Sequence, residues 1–396
     1  MYYVTGNEFV SLPTIRMADA AIEGLTFLHM GAKGMIHIKG VGKEPLLRPT
    51  IVVDDRPVGL ANLQWSRDRY WVPQFCGEAQ GLVLSGCIIV PLEERGFIYR
   101  LSVKAARLCK VQIGLEGSFG ETLHEVNESK PVSGKKSAYE SGWNHSFVMD
   151  FRTGLPLYAL APMVVDTDAR WDYRQDDQGV IRFALWRSVE LEEGEEATFD
   201  VIWGLGYEEV AASTAAKEIL RHGFADVYRR TTTWLSDRIQ KIEDPHLEEL
   251  LNLNMFFSFF FGSGLTLDTE EFCLVTSRSP RYYVSAAYWD RDSLLWSFPA
   301  ILMADPERAR DMLHYAFTRQ IRNVGIHSRF IDGTVLEPGF ELDELCAPII
   351  ALKRYVDESS DETILAEDYI QRGVERILTI LEQKKHPRIE LYETFL

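Results

Sequence analysis

Positive charge is scarce in this chain: 42 Lys and Arg stand against 59 Asp and Glu, a formal charge of −17 over 396 residues. Nucleic acids and anionic membrane surfaces are held by basic patches, so neither is an expected partner, whereas a neutral ligand is compatible. Cysteine is also sparse. The five present (Cys76, Cys87, Cys109, Cys273, Cys346) are scattered and odd in number. They outline no disulfide framework and point to a reduced, cytoplasmic protein with buried thiols. No apolar run is long and uncharged enough to span a bilayer. The most apolar, "MFFSFFFGSG" from Met255, is too short. The opening "MYYVTGNEFV" lacks the basic-then-apolar pattern of a secretory signal. HExxH, paired CxxC, a Walker loop and ligand-spaced histidines are all missing, so no metal and no cofactor is expected. The acidic stretch from Asp166 to Gly179 lacks EF-hand spacing and reads as a solvated hairpin loop.

What is present divides the chain by periodicity. Over residues 1–206, runs such as "GMIHIKGVG", "LVLSGCIIV", "GFIYRLSVKA", "CKVQIGLEG" and "ATFDVIWGLG" are short and β-branched or alternating, with Gly, Pro, Asp and Asn between them. That pattern predicts an antiparallel β-sandwich. Residues 207–243 have helical composition interrupted only at Gly223 and read as a linker helix. The preceding Gly204-Leu205-Gly206 reads as a strand-to-helix turn rather than a phosphate loop. Residues 244–396 are helical. Asp244-Pro245 and Asp305-Pro306 are N-cap-plus-proline starts. "HLEELLNLNMFFSFFFGSG" is apolar on nearly every face and is expected to be buried. Ile370, Val374, Ile377, Leu378 and Leu381 form one stripe. The fold class is thus multidomain β + α, with five helices in the last part. The connections before the second and fourth of these are long and acidic, and those after them are short. A ring of helical hairpins has this alternation, and every even helix then starts on one rim.

The rim residues carry the chemistry. "YYVSAAYWDRDSLLWSFPA" (282–300) surrounds Asp290, Arg291 and Asp292 with Tyr288, Trp289 and Trp296; "FELDELC" supplies Glu341, Asp343 and Glu344. A carboxylate accepts two neighbouring sugar hydroxyls, a guanidinium offers a planar fork of donors, and aromatic rings face the C–H surface of a pyranose. Taken singly, each acid also suits a helix start: Asp290 or Asp292 as an N-cap paired with Arg291, the others in the field of a helix dipole.

"YWDRDSLLWSFPAIL" with "FELDELCAPIIALKRY" resembles the α/α toroid of six helical hairpins in glycogen-debranching-type, processing-α-glucosidase-type and glucoamylase-type glycoside hydrolases. The stretch from Ile113 to Phe151 looks like the β-sandwich that precedes the toroid in debranching-like bacterial members. The resemblance implies that Arg291 and Asp292 hold the non-reducing-end sugar, with Trp289 as a wall and Asp343 and Glu344 nearby. It implies an exo-acting, inverting α-glycosidase acting on oligosaccharides, with acid and base about 6.5–9.5 Å apart. Five helices make an incomplete toroid. The general acid and base are expected beyond Leu396, because neither Glu390 nor Glu393 fits the role. The chain then reads as part of a longer protein, inactive alone and able to self-associate through exposed toroid helices. A glycoside phosphorylase and a non-catalytic carbohydrate-binding or scaffold protein are the alternatives.

Overall fold

The computed structural model describes residues 1–152 and 154–394, which fall into two compact units. The first contains residues 1–27, 36–124 and 130–237; the second contains residues 28–35, 125–129 and the described residues from 238 on. The helix after the β-region thus belongs, up to Asp237, to the first unit.

The first unit is built on antiparallel sheets. An eight-stranded sheet includes Gly96–Ala105 at its centre, paired on one side with Glu196–Gly206 and on the other with Leu82–Ile89. A five-stranded sheet has Cys109–Phe119 between Ile181–Leu191 and Arg48–Val53. The inward residues of the two sheets meet through aromatic rings. Phe147 lies 5.8 Å from Phe183, and Phe183 lies 5.4 Å from Trp203. Alternation in the sequence becomes alternation of burial, as in Leu82–Ile89, where Leu82 and Leu84 are buried and Val83 is exposed. The stretch expected to be a solvated loop differs. Arg170–Gln175 is a strand laddered to Ile181–Leu191, flanked by turns at Asp166–Ala169 and Asp176–Gly179.

Helix α1 (Glu209–Arg238) is broken at Gly223, whose φ of 72° is left-handed. Its first half lies close against the strand Glu196–Gly206. A Cβ on Gly204 would sit 2.0 Å from the Ala212 carbonyl oxygen, and one on Gly206 2.2 Å from the Ala212 nitrogen. The Gly-Leu-Gly element is therefore a close helix-to-strand packing site. In the second half, Phe224 lies over the Arg100 guanidinium at 3.5 Å, while Arg100 is held by the cross-strand carboxylate Asp200.

The second unit holds α2 (Pro245–Phe261), a π-helix (Arg291–Ser297) running into α3 (Phe298–Ala304), α4 (Pro306–Tyr315), α5 (Leu342–Ser359) and α6 (Asp368–Gln383). Helices adjacent in sequence pack as neighbours, α2 on α3, α3 on α4, α4 on α5 and α5 on α6. Asp244 caps α2 by accepting from His246 N and Leu247 N; Asp305 caps α4 by accepting from Arg308 N and also pairs with Arg238. Two expectations change. In α2, burial begins only at Asn252, and Leu247 and Leu250 are exposed. The buried face of α6 runs through Ile370, Gly373 and Ile377, with Gly373 against the Phe317 ring, and leaves Leu378 exposed. No described helix is long and apolar enough to cross a membrane.

Candidate functional site: a buried ion-pair platform beneath Arg291 and Asp292

The two long acidic connections each contain a short antiparallel ladder. Ser263–Leu265 pairs with Phe272–Leu274, and Ile326–Arg329 pairs with Val335–Phe340. A backbone bridge then joins the connections: Tyr288 N donates to Arg329 O at 2.9 Å, and Arg329 N donates to Tyr288 O at 3.1 Å. This pairing brings the two sequence motifs together.

Beneath the bridge lies a fully buried layer. Arg329 is inaccessible to solvent and Asp290 nearly so; the two side chains form an ion pair. Tyr288 donates its hydroxyl to the other Asp290 oxygen at 2.5 Å. Glu344, also inaccessible, accepts the Asp290 N–H at 2.6 Å, and its second oxygen faces the Arg291 N–H at 3.4 Å. Arg329 and Arg291 each stand 3.6 Å from a Glu344 oxygen. Burial pushes the Glu344 carboxyl up to about 9; the Asp290 charge adds to the shift, and the two guanidinium groups oppose it. Tyr288, Asp290 and Glu344 therefore face protein, and they fix the backbone that carries Arg291 and Asp292.

Above this layer the groups are partly open. The Arg291 side chain is about a quarter exposed and reaches Asp343 at 2.6 Å and Glu341 at 3.1 Å. Burial lowers its affinity for the proton, but the Asp343 hydrogen bond and the fields of Glu344, Asp343 and Glu341 outweigh it, so its pKa is raised. Asp292 accepts from the Thr276 hydroxyl at 3.3 Å. Burial raises its pKa, against Arg291 and Thr276. Trp289 is buried to 5% exposure and meets the His327 ring edge-to-face at 5.6 Å. His327 in turn shares a 2.9 Å hydrogen bond with Glu341.

The helix-cap reading of this motif has no support in the hydrogen bonding. Asp290 precedes the π-helix without a side-chain cap bond, and Arg291 pairs with Glu341 and Asp343 rather than with its neighbours. Arg329, His327 and Thr276 are participants that the sequence reading missed. The available signal was Arg329 itself, an arginine in the short alternating run "GIHSRFI". The segment after α6 returns to this region: the Leu342 N–H donates to Thr394 at 3.2 Å, while Glu390 and Glu393 are exposed. Among the described residues no group of His, Cys, Asp and Glu is arranged to hold a metal ion.

No protein-family model and no curated protein matches the sequence. Solved structures do match the fold. One is a protein described as a kojibiose phosphorylase from the human microbiome, with TM-score 0.64 and 12% identity, covering 96% of this chain and 56% of that one. Another is a bacterial glucoamylase complexed with acarbose, with TM-score 0.57 and 12% identity, covering 96% of this chain and 58% of that one. This chain thus spans just over half the length of either. At such identities the likeness is one of fold: a mixed β and α architecture shared with carbohydrate-active enzymes.

Proposed function

We propose that this chain carries the sugar-holding part of an exo-acting, inverting α-glycosidase of the α/α-toroid type, glycogen-debranching-like, that acts on oligosaccharides. The observation that carries the reading is the layering at residues 290–292. A buried set of ion pairs fixes the backbone, and the next two side chains, Arg291 and Asp292, stand partly open above it. A surface salt-bridge cluster needs no such foundation; a binding subsite does, because its groups must stay within a fraction of an ångström of the ligand geometry.

In this reading Asp292 accepts two adjacent hydroxyls of the terminal sugar. Arg291, held in place by Asp343 and Glu341, donates to a third. Trp289 closes one side. Tyr288, Asp290, Glu344 and Arg329 act through the backbone as positioning residues. The groups around Arg291 carry more negative than positive charge (Asp292, Asp343 and the buried Glu341), which suits a neutral sugar and the positive charge that develops as a glycosidic bond breaks. The general acid and base are not assigned to described residues.

The test is sugar binding by calorimetry to the wild-type chain and to Asp292→Asn, with glucose, maltose and maltotriose as probes. The substitution keeps shape and removes charge, so affinity should fall about ten- to a hundredfold, the worth of one charge-assisted hydrogen bond. Equal affinities for both proteins would rule the reading out. The likeness to a phosphorylase favours a second reading, in which inorganic phosphate replaces the water nucleophile. Cleavage of the substrate only when phosphate is supplied would establish it. Binding without turnover under either condition would mark a non-catalytic sugar-binding protein.

A further inference from the structure

The connection from Thr276 to Ala287 is a closed loop. Thr276 N donates to Ala287 O at 2.8 Å, and Ser277 N donates to Ser285 O at 2.9 Å. Arg278, wholly buried, anchors it by donating to the carbonyls of Phe260 and Ser263 at 3.1 and 3.3 Å. On its other side Asn127 N donates to Val284 O at 3.2 Å. From Phe272 to Asp290 every residue is buried or half-buried except Arg281, Tyr282 and Tyr283. Tyr283 is 78% exposed and Tyr282 40%, with ring centroids 5.1 Å apart. Arg281 apart, the loop packs the rest of its residues against protein and leaves these two ring faces open to a ligand.

The loop is also tied to the proposed sugar site. Thr276, which closes its base, is the residue that hydrogen-bonds Asp292. Tyr282 lies within the field of Asp292, which, after burial, is the next contribution raising the phenol's pKa. The base of the loop thus touches the carboxylate proposed to hold one sugar ring, and its tip carries two exposed rings, of which Tyr282 feels that carboxylate's charge.

Resting on the sugar-binding reading above, we infer that the Tyr282–Tyr283 tip is an outer subsite that stacks on the ring following the one held by Asp292, so that the preferred ligand is a linear oligosaccharide rather than a free monosaccharide. The C–H faces of a pyranose are apolar and match an exposed aromatic ring, and the flanking hydroxyls stay in water. A free monosaccharide would occupy the Asp292 position and leave the tip uncovered.

Binding of glucose, maltose, maltotriose and maltotetraose is measured by calorimetry on the wild-type chain, Tyr283→Ala, Tyr283→Phe and Asp292→Asn. The wild type should bind maltotriose more tightly than glucose. Tyr283→Ala should lose about three- to tenfold on maltotriose, the range of an aromatic contact, and keep its glucose affinity. Tyr283→Phe should behave as wild type, because stacking needs the ring and not the hydroxyl. Tyr283 is so exposed that its removal should leave the thermal midpoint unchanged, which circular dichroism checks. Parallel loss of all four sugars in Tyr283→Ala, or no loss of any, overturns the outer subsite. So does equal wild-type affinity for glucose and maltotriose. A selective loss in Tyr283→Ala combined with unchanged binding by Asp292→Asn supports the aromatic subsite and removes the Asp292 reading instead. Absence of binding to all four sugars by the wild type removes both.

Discussion

Glu344 shows how one buried side chain can make stability depend on pH. Its oxygens receive the Asp290 and Arg291 N–H groups, yet burial and the Asp290 charge raise its pKa from the ordinary 4.5 to about 9. A carboxyl raised in the folded state holds its proton there more tightly than in the unfolded chain. Its contribution is therefore fully present below the unfolded value and is lost as pH rises from about 4.5 towards about 9. Glu344→Gln cannot ionise. The denaturant midpoint of the wild type should fall across that interval more steeply than that of Glu344→Gln, and parallel curves would show that Glu344 titrates as an ordinary exposed acid. Asp292 has the same sign by the same main cause, burial. Arg329 was not read from the sequence for a physical reason. Its partner Asp290 lies 39 positions earlier, and an arginine in a connection reads as solvated until a partner strand buries it.

Elements whose signals are local were legible. Asp-Pro at 244–245 and 305–306 fixed two helix starts, because capping involves only the next three residues. The break at Gly223 was visible as an interruption of helical composition, and the structure places a left-handed residue there. The ladders inside the two long connections were not legible, because strands of three to six residues are set by their partner more than by propensity. The α6 stripe was legible at Ile370 and Ile377, which are buried, but not at its centre: Gly373, which has no apolar side chain to signal burial, lies there against the Phe317 ring, while Leu378 is exposed. The α4 cap has a measurable value. Asp305 accepts the Arg308 N–H at 3.1 Å and pairs with Arg238 at 2.6 Å. Asp305→Ala should lower unfolding free energy by about 0.5–2 kcal/mol, while Asp305→Asn, which can still cap, should recover most of it. Equal losses in both variants would assign the effect to the Arg238 pair.

Across the whole molecule, the excess of acidic residues bears on which ligands it can attract. A net charge of −17 is felt by ions and hardly by neutral sugars. Maltotriose affinity should stay within about twofold between about 0.01 M and about 1 M salt, where the Debye length shrinks from about 30 Å to about 3 Å. Any affinity for inorganic phosphate should instead strengthen as salt screens the acidic surface. Maltotriose binding that falls steadily with salt would mean that charge steering, not hydroxyl recognition, dominates. The π-helix at Arg291–Ser297 has a consequence for heredity. Its turns close by one residue more than an α-helix, as in the bond from Phe298 N to Ser293 O. A second such turn, Ala316–Gln320, ends at the residue whose carbonyl receives the Arg329 guanidinium. Each therefore behaves like a single inserted codon. Losing one codon within either would restore an ordinary helix and turn every following side chain by about 100° around the axis. In these two segments the number of residues, and not only their identity, sets which side chains the following turns present.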